Sequence, residues 1–255
     1  MSAVAVDAIH NRARTTDHFY LYMGLVCLAV AFIGFAPTYW TGLVRGTFQA
    51  NPVIHIHGAV FFAWTVFVVF QTWLAAARHL RLHRRWALVG VSLATAMVIL
   101  GVLAAINSMK VAAGLGLTDA GKAFAIVPLA SISFFGLLVT LAIVKARQIE
   151  THKRLMLLAS ISILDAPIAR WFITFLAPPG PPGPPPVAVD LLPAGVTLIL
   201  LCVALVFDWR TRSRPHSAYV IGGVALVAIK LGQIPLSTTS FWQSFTGWML
   251  ALAQS

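Results

Sequence analysis

Seven apolar runs dominate the sequence, each close to the roughly 20 residues that a helix needs to cross a hydrocarbon core of about 30 Å. They cover residues 19–40, 53–77, 86–106, 123–144, 155–176, 191–207 and 218–236. Lipid offers no hydrogen bonds, so a chain crossing it must satisfy its backbone internally, as a helix or as a closed barrel. No series of ten-residue segments with alternating polarity appears, which excludes the barrel. The expected fold is therefore an all-α, polytopic membrane bundle of seven transmembrane helices. Composition agrees, because 59% of the residues are hydrophobic and only 10% charged, against about a quarter charged in a soluble domain.

The formal charge of +11 comes from 18 Lys and Arg against 7 Asp and Glu. In a soluble protein that excess would suggest nucleic acid, but its distribution excludes such a partner. Thirteen cations fall on one side of the seven runs: Arg12, Arg14, Arg78, Arg81, Arg84, Arg85, Lys145, Arg147, Lys153, Arg154, Arg210, Arg212 and Arg214. Only Arg45, Lys110 and Lys122 fall on the other. Short basic loops stay in the cytoplasm, so the N-terminus is expected inside and the C-terminus outside, in a bacterial inner membrane. The basic loops are then placed to meet anionic headgroups. Residues 1–18 are read as a cytoplasmic leader, and the run after them is too long for a cleaved signal. Cys27 and Cys202 lie inside apolar runs, where no loop disulfide is available to them.

Three features organise the chain further. A shift of 69 residues lays Arg78–Arg85 on Arg147–Arg154 with His83 on His152, which predicts a repeated helical hairpin, 53–106 and 123–176. Pro178–Pro186 holds half of the 14 prolines and is expected to form stiff polyproline II within an outer loop, 177–190. In the tail, 237–255, Trp242, Phe245, Trp248, Met249 and Leu252 recur near helical spacing, which predicts an amphipathic helix in the outer interface. The proline loop and this helix are also the expected contacts with any further membrane subunit.

Ionisable groups inside a span are costly and point to function. They are His55, His57, Asp165, Arg170 and Lys230. At 1.5 Å per residue, Asp165 lies roughly 16 Å and Arg170 roughly 24 Å beyond Arg154, Lys230 about 20 Å from Ser217, and His57 about 22 Å deep. All four share the outer half, which predicts one polar pocket there. Asp165 is expected to pair with Arg170 or Lys230, or to carry a proton. Pro167 removes a helical donor, so span five is expected to kink, or to break with Asp165 capping a second half-helix. His57 shares a helix face with Phe61 and Trp64, and Gly58 would admit a close neighbour. That makes His57 a candidate metal ligand or proton carrier, with His55 pointing away from it. His83 and His152, at equal depth, are the candidate pair for bis-imidazole ligation of a b-type haem.

Asn51-Pro-Val-Ile-His-Ile-His-Gly58, Leu82-His-Arg-Arg85 and Thr151-His-Lys-Arg-Leu-Met156 resemble a group of bacterial seven-span membrane proteins to which no function is attached. More remotely, residues 53–176 look like the four-helix core of membrane b-type cytochromes and ferric reductases. That resemblance implies haem b and a redox activity.

No phosphate-binding glycine loop, Cys-x-x-Cys, His-Glu-x-x-His or Gly-x-Ser-x-Gly is present. The expected function is membrane redox, linked to haem or a quinone, or respiratory assembly. The alternatives are a proton-coupled carrier of a small solute or ion, and an accessory subunit of a larger membrane complex.

Overall fold

The computed structural model describes residues 3–177, 180 and 183–253, with residues 3–17 described by their backbone alone. Among these no strand occurs. The helices are α1 (Ala3–Gly34), α2 (Thr41–Val44), α3 (Pro52–Ala76), α4 (Leu80–Gly114), α5 (Thr118–Phe124), α6 (Ile126–Val144), α7 (Ile149–Ser162), α8 (Asp165–Phe175), α9 (Leu191–Arg212), α10 (Ser217–Leu236) and α11 (Ser240–Leu252). A π-helical turn, Ala36–Trp40, joins α1 to α2, and a 3₁₀ turn, Val187–Asp190, leads into α9.

Seven segments are long and apolar enough to cross a membrane: His18–Val44, Pro52–Ala76, Leu80–Gly114, Thr118–Val144, Ile149–Phe175, Val187–Arg212 and Ser217–Leu236. The protein is a multi-pass membrane protein. Leu88, Ile99, Ile199 and Val224 are exposed along the spans, as expected where lipid is the solvent. The fourth and fifth spans are the most enclosed, with 50% and 56% of their apolar windows buried, and the second the least, with 17%. In span five Arg154 and Asp165 are buried, whereas Arg170 is exposed.

Local sequence explains the helix ends. The Asn51 side chain accepts the Val53 N–H at 3.0 Å, and Pro52 occupies the first turn, where its missing N–H costs nothing. The α1 helix begins at Ala3 and continues without a break into the first apolar span, which starts at His18. Of the polyproline stretch, residues 178, 179, 181 and 182 lie outside the described residues.

Span five is broken rather than merely kinked. A turn at Ile163–Leu164 separates α7 from α8, and Pro167 in the first turn of α8 leaves the Ile163 carbonyl without a helical donor. Asp165 does not cap α8; its carboxylate turns into the bundle. Gly34 of α1 lies against the break: a Cβ there would stand 2.7 Å from the carbonyl oxygen of Pro167 and 2.8 Å from its carbonyl carbon. Backbone cannot move aside cheaply, so Gly34→Ala is expected to cost about 1–3 kcal/mol and lower the Tm in detergent. An unchanged Tm would show that α1 and α8 slide freely.

The tail forms α11, which buries Trp242, Thr246 and Leu250 and turns Phe241, Phe245, Trp248 and Leu252 outward. Trp242 donates its indole N–H to the Lys122 carbonyl at 2.8 Å, so it belongs to the protein-facing side, not to the aromatic face the sequence suggested.

Candidate functional site

Two buried polar clusters occupy opposite ends of the bundle. The end carrying the loops near residues 78–85, 145–154 and 208–217 is here the basic end; the other is the far end.

The far-end cluster centres on Lys230 of α10. Its ammonium touches Asp165 Oδ2 at 2.5 Å, off the direction of a good hydrogen bond, and donates to Asp190 Oδ2 at 2.8 Å and Ser131 Oγ at 3.3 Å. Gln233, one helical turn on, donates its amide to Asp190 Oδ2 at 2.7 Å. The Thr197 hydroxyl donates to Asp165 Oδ1. Asp165, Asp190 and Lys230 are 4%, 6% and 3% exposed, so bulk water does not screen them. Among the described residues no other cation lies within salt-bridge distance of either carboxylate. Two carboxylates therefore face one ammonium, beside the break in span five.

The structure brings Asp165 and Lys230 together and sends the other expected pocket residues elsewhere. Arg170 is not a partner of Asp165. Five residues apart on one helix, the two point about 140° from each other, and the Arg170 guanidinium lies 5.7 Å from the centre of the Phe35 ring. His55 and His57 diverge because α3 is continuous there. The His55 ring nitrogen pairs with the Tyr39 hydroxyl at 3.2 Å, while His57 lies against Phe61 with ring centres 4.0 Å apart and its Nδ1 without a hydrogen-bond partner. No group of three potential metal ligands exists among the described residues, so His57 is not part of a three-ligand metal site. Trp64 is fully buried, edge-on to Phe135 at 5.1 Å, and is a core residue. A Cβ added at Gly58 would meet nothing from other segments closer than Tyr39, at 4.0 Å. The single outer pocket expected from depth alone is instead a closed ion cluster with a separate aromatic layer beside it.

At the basic end, Arg154 is fully buried. It grips Asp208 through Nε at 2.8 Å and Nη2 at 2.5 Å, and Glu150 through Nη1 at 2.6 Å. Glu150 also binds Arg212 and Lys153, each at 2.6 Å. The His216 backbone N–H reaches Asp208 Oδ2 at 3.0 Å. Arg154 was expected among the headgroup-facing cations; a bidentate carboxylate inside the protein holds it instead. The His216 ring caps α10, accepting the Ala218 N–H on Nδ1 at 3.1 Å. Partial burial, then Arg154 and Arg212, push the His216 pKa below its ordinary 6.5. The neutral ring is the one that stabilises the fold, so this stability is present above pH 6.5 and is lost as pH falls through the lowered value. His216→Asn keeps a cap but removes the titration, and the acid-side fall in Tm should be shallower than in wild type. Identical slopes would refute this role.

His83 and His152 each sit in the first turns of a helix and bond back to the helix before it. His83 Nδ1 pairs with the Gln71 carbonyl at 3.3 Å and His152 Nδ1 with the Ala142 carbonyl at 2.9 Å. A carbonyl only accepts, so both Nδ1 atoms carry a proton, and in the neutral tautomer this leaves Nε2 as the lone-pair nitrogen of each ring. The ring centres are 6.4 Å apart and the planes near perpendicular, at 89°.

Comparison with family models, curated proteins and solved structures returned no match.

Haem ligation is thus judged on fit alone. The two imidazoles have the right donor atoms, but a tetrapyrrole also needs a wide flat slot between them. The clefts at Trp73 and Arg78–Leu82 and at Val206, Trp209, Arg210 and Ser213 are on the surface, and neither lies between the rings. Ala142, which anchors His152, is fully buried. The packing does not fit a haem.

Sequence reasoning missed Asp190, Thr197, Ser131 and Gln233 at the far end, and Glu150 and Asp208 at the basic end. Gln233 carried a signal, lying three residues after Lys230 on the same helix face. Asp190 and Asp208 bracket the sixth apolar run by one residue each, where hydropathy alone reads a loop residue.

Proposed function

We propose that the protein is a proton-coupled carrier of a small solute or ion, with Asp165, Asp190 and Lys230 as its coupling site. The observation that carries this reading is the charge count of the far-end cluster. A buried pair of unlike charges can be purely structural, but here a second carboxylate leaves one negative charge in excess. Burying an uncompensated charge is expensive, and uptake of one proton removes the excess. The two carboxylates share the ammonium, so the proton taken up in this reading belongs to the pair rather than to either residue.

The break between α7 and α8 supports the same reading. Broken helices at mid-membrane let one half of a span tilt without unwinding the other, and they accompany solute and ion sites in carriers. Asp165 begins α8, so a tilt of α8 moves it against Lys230. At the cytoplasmic side, Arg154 bound to Asp208 and Glu150 closes the path through spans five and six. In the proposed cycle, opening at the outer side hydrates and protonates the cluster, and release of the basic-end lock delivers the proton inward.

The test is proton movement in liposomes containing a trapped pH dye, with a panel of amino acids, sugars, carboxylates and inorganic cations offered outside. At least one solute is expected to drive protein-dependent proton movement, which Asp165→Asn abolishes. Either an inert panel or full activity of Asp165→Asn contradicts the proposal.

A further inference from the structure

We infer that His83 and His152 form a second site, independent of the coupling cluster, which holds one low-coordinate metal ion, Cu(I) by its chemistry. Metal-binding histidines almost always donate their other ring N–H to a carbonyl or carboxylate, which fixes the tautomer and aims the ring. Both residues are anchored in this way, to Gln71 and Ala142, and neither Nε2 has a hydrogen-bond partner among the described residues. A metal–nitrogen bond of about 2.0 Å and about 1.2 Å from nitrogen to ring centre put opposed imidazole centres about 6.4 Å apart, against about 5 Å for a tetrahedral pair. The observed separation is 6.4 Å. Rotation about the metal–nitrogen bond is soft, so perpendicular planes are no obstacle.

The choice of ion follows from ligand number and charge. Imidazole suits zinc and copper, but structural zinc takes four ligands, and no third His, Cys, Asp or Glu joins the pair among the described residues. Cu(I) is satisfied by two opposed nitrogen ligands. A single positive charge is also repelled less by Arg84, which acts on His83, than a double one would be. Lys153, the neighbour of His152, is turned to Glu150 at 2.6 Å and to the Tyr20 ring, so it does not occupy the site.

Copper retention tests the inference. Detergent-purified protein is loaded anaerobically with Cu(I) under reducing conditions and desalted, and bound copper is measured by mass spectrometry. Asparagine can donate its amide to the same carbonyl but has no second ring nitrogen, so His83→Asn and His152→Asn keep the anchor while deleting the ligand. One copper per chain is expected in wild type and in Asp165→Asn, with X-ray absorption showing two nitrogen ligands, and loss of the copper in either His→Asn variant at unchanged Tm. Copper retained by both His→Asn variants, none retained by wild type, or a Soret band in the purified protein that either variant abolishes would overturn it. Because Asp165→Asn is expected to keep its copper, failure here and failure of the proton-coupling reading are separate results.

Discussion

Lys230→Met is expected to destabilise the protein by about 3–5 kcal/mol, the usual loss when one member of a buried charge group is removed and its partners stay behind. Asp165 and Asp190 would then face each other across an apolar side chain, with only Thr197 and Gln233 to solvate them. Asp190→Asn should behave differently. It leaves one carboxylate on one ammonium and keeps an acceptor for Gln233, so the cluster becomes neutral at little cost. A balanced one-to-one salt bridge would respond alike to losing either sign of charge. The asymmetry between the two variants, read from Tm in one detergent, therefore reports the surplus carboxylate. Equal destabilisation by both would show that the cluster is balanced by a charge elsewhere. Adding Asp190→Asn to Lys230→Met should recover part of the loss, since only one orphaned carboxylate then remains.

Asp208→Asn is expected to cost a similar amount, about 3–5 kcal/mol, because it strips a fully buried guanidinium of its bidentate partner. Glu150 cannot replace it: half-exposed, it already serves Lys153 and Arg212. The paired change Arg154→Met with Asp208→Leu removes both charges together and should return stability close to wild type, as apolar replacement of buried ion pairs often does. Under the proposed carrier reading the same double variant is expected to leak, because the Arg154–Asp208 contact at the basic end is gone while the far-end cluster is intact. A double variant as unstable as Asp208→Asn would assign the cost to packing around Tyr219, whose ring lies 5.9 Å from the Arg154 guanidinium.

What was legible in the sequence was what lipid dictates. Apolar run length placed seven spans, because a membrane sets helix length directly. Depth along a helix was also legible, and it correctly put Asp165 and Lys230 within reach of each other. Azimuth separates His55 from His57, and it separates Asp165 from Arg170 as well, because five residues on one helix turn the two apart. The acidic partners were lost for another reason. Asp190 and Asp208 end an apolar run, and hydropathy treats such a residue as solvated, yet Lys230 and Arg154 draw each carboxylate back inside. Arg154 shows the same limit from the other sign: adjacent to Lys153, it reads as one more loop cation until α9 brings Asp208 beside it. The break at Ile163–Leu164 was half legible, since Pro167 announces a missing hydrogen bond but not whether the helix bends or divides. The tight contact between Gly34 and Pro167 lies between distant segments and leaves no local mark.

The central claim is that the Asp165–Asp190–Lys230 cluster exchanges a proton. Infrared difference spectroscopy of the protein in lipid, taken across a pH step, tests it most directly through the carbonyl stretch of a protonated carboxylic acid. The account predicts one such band that appears on acidification in wild type, shifts when deuterium replaces hydrogen, and is lost or displaced in both Asp165→Asn and Asp190→Asn. A wild-type spectrum with no protonatable carboxyl band, or a band unchanged in both variants, would contradict it.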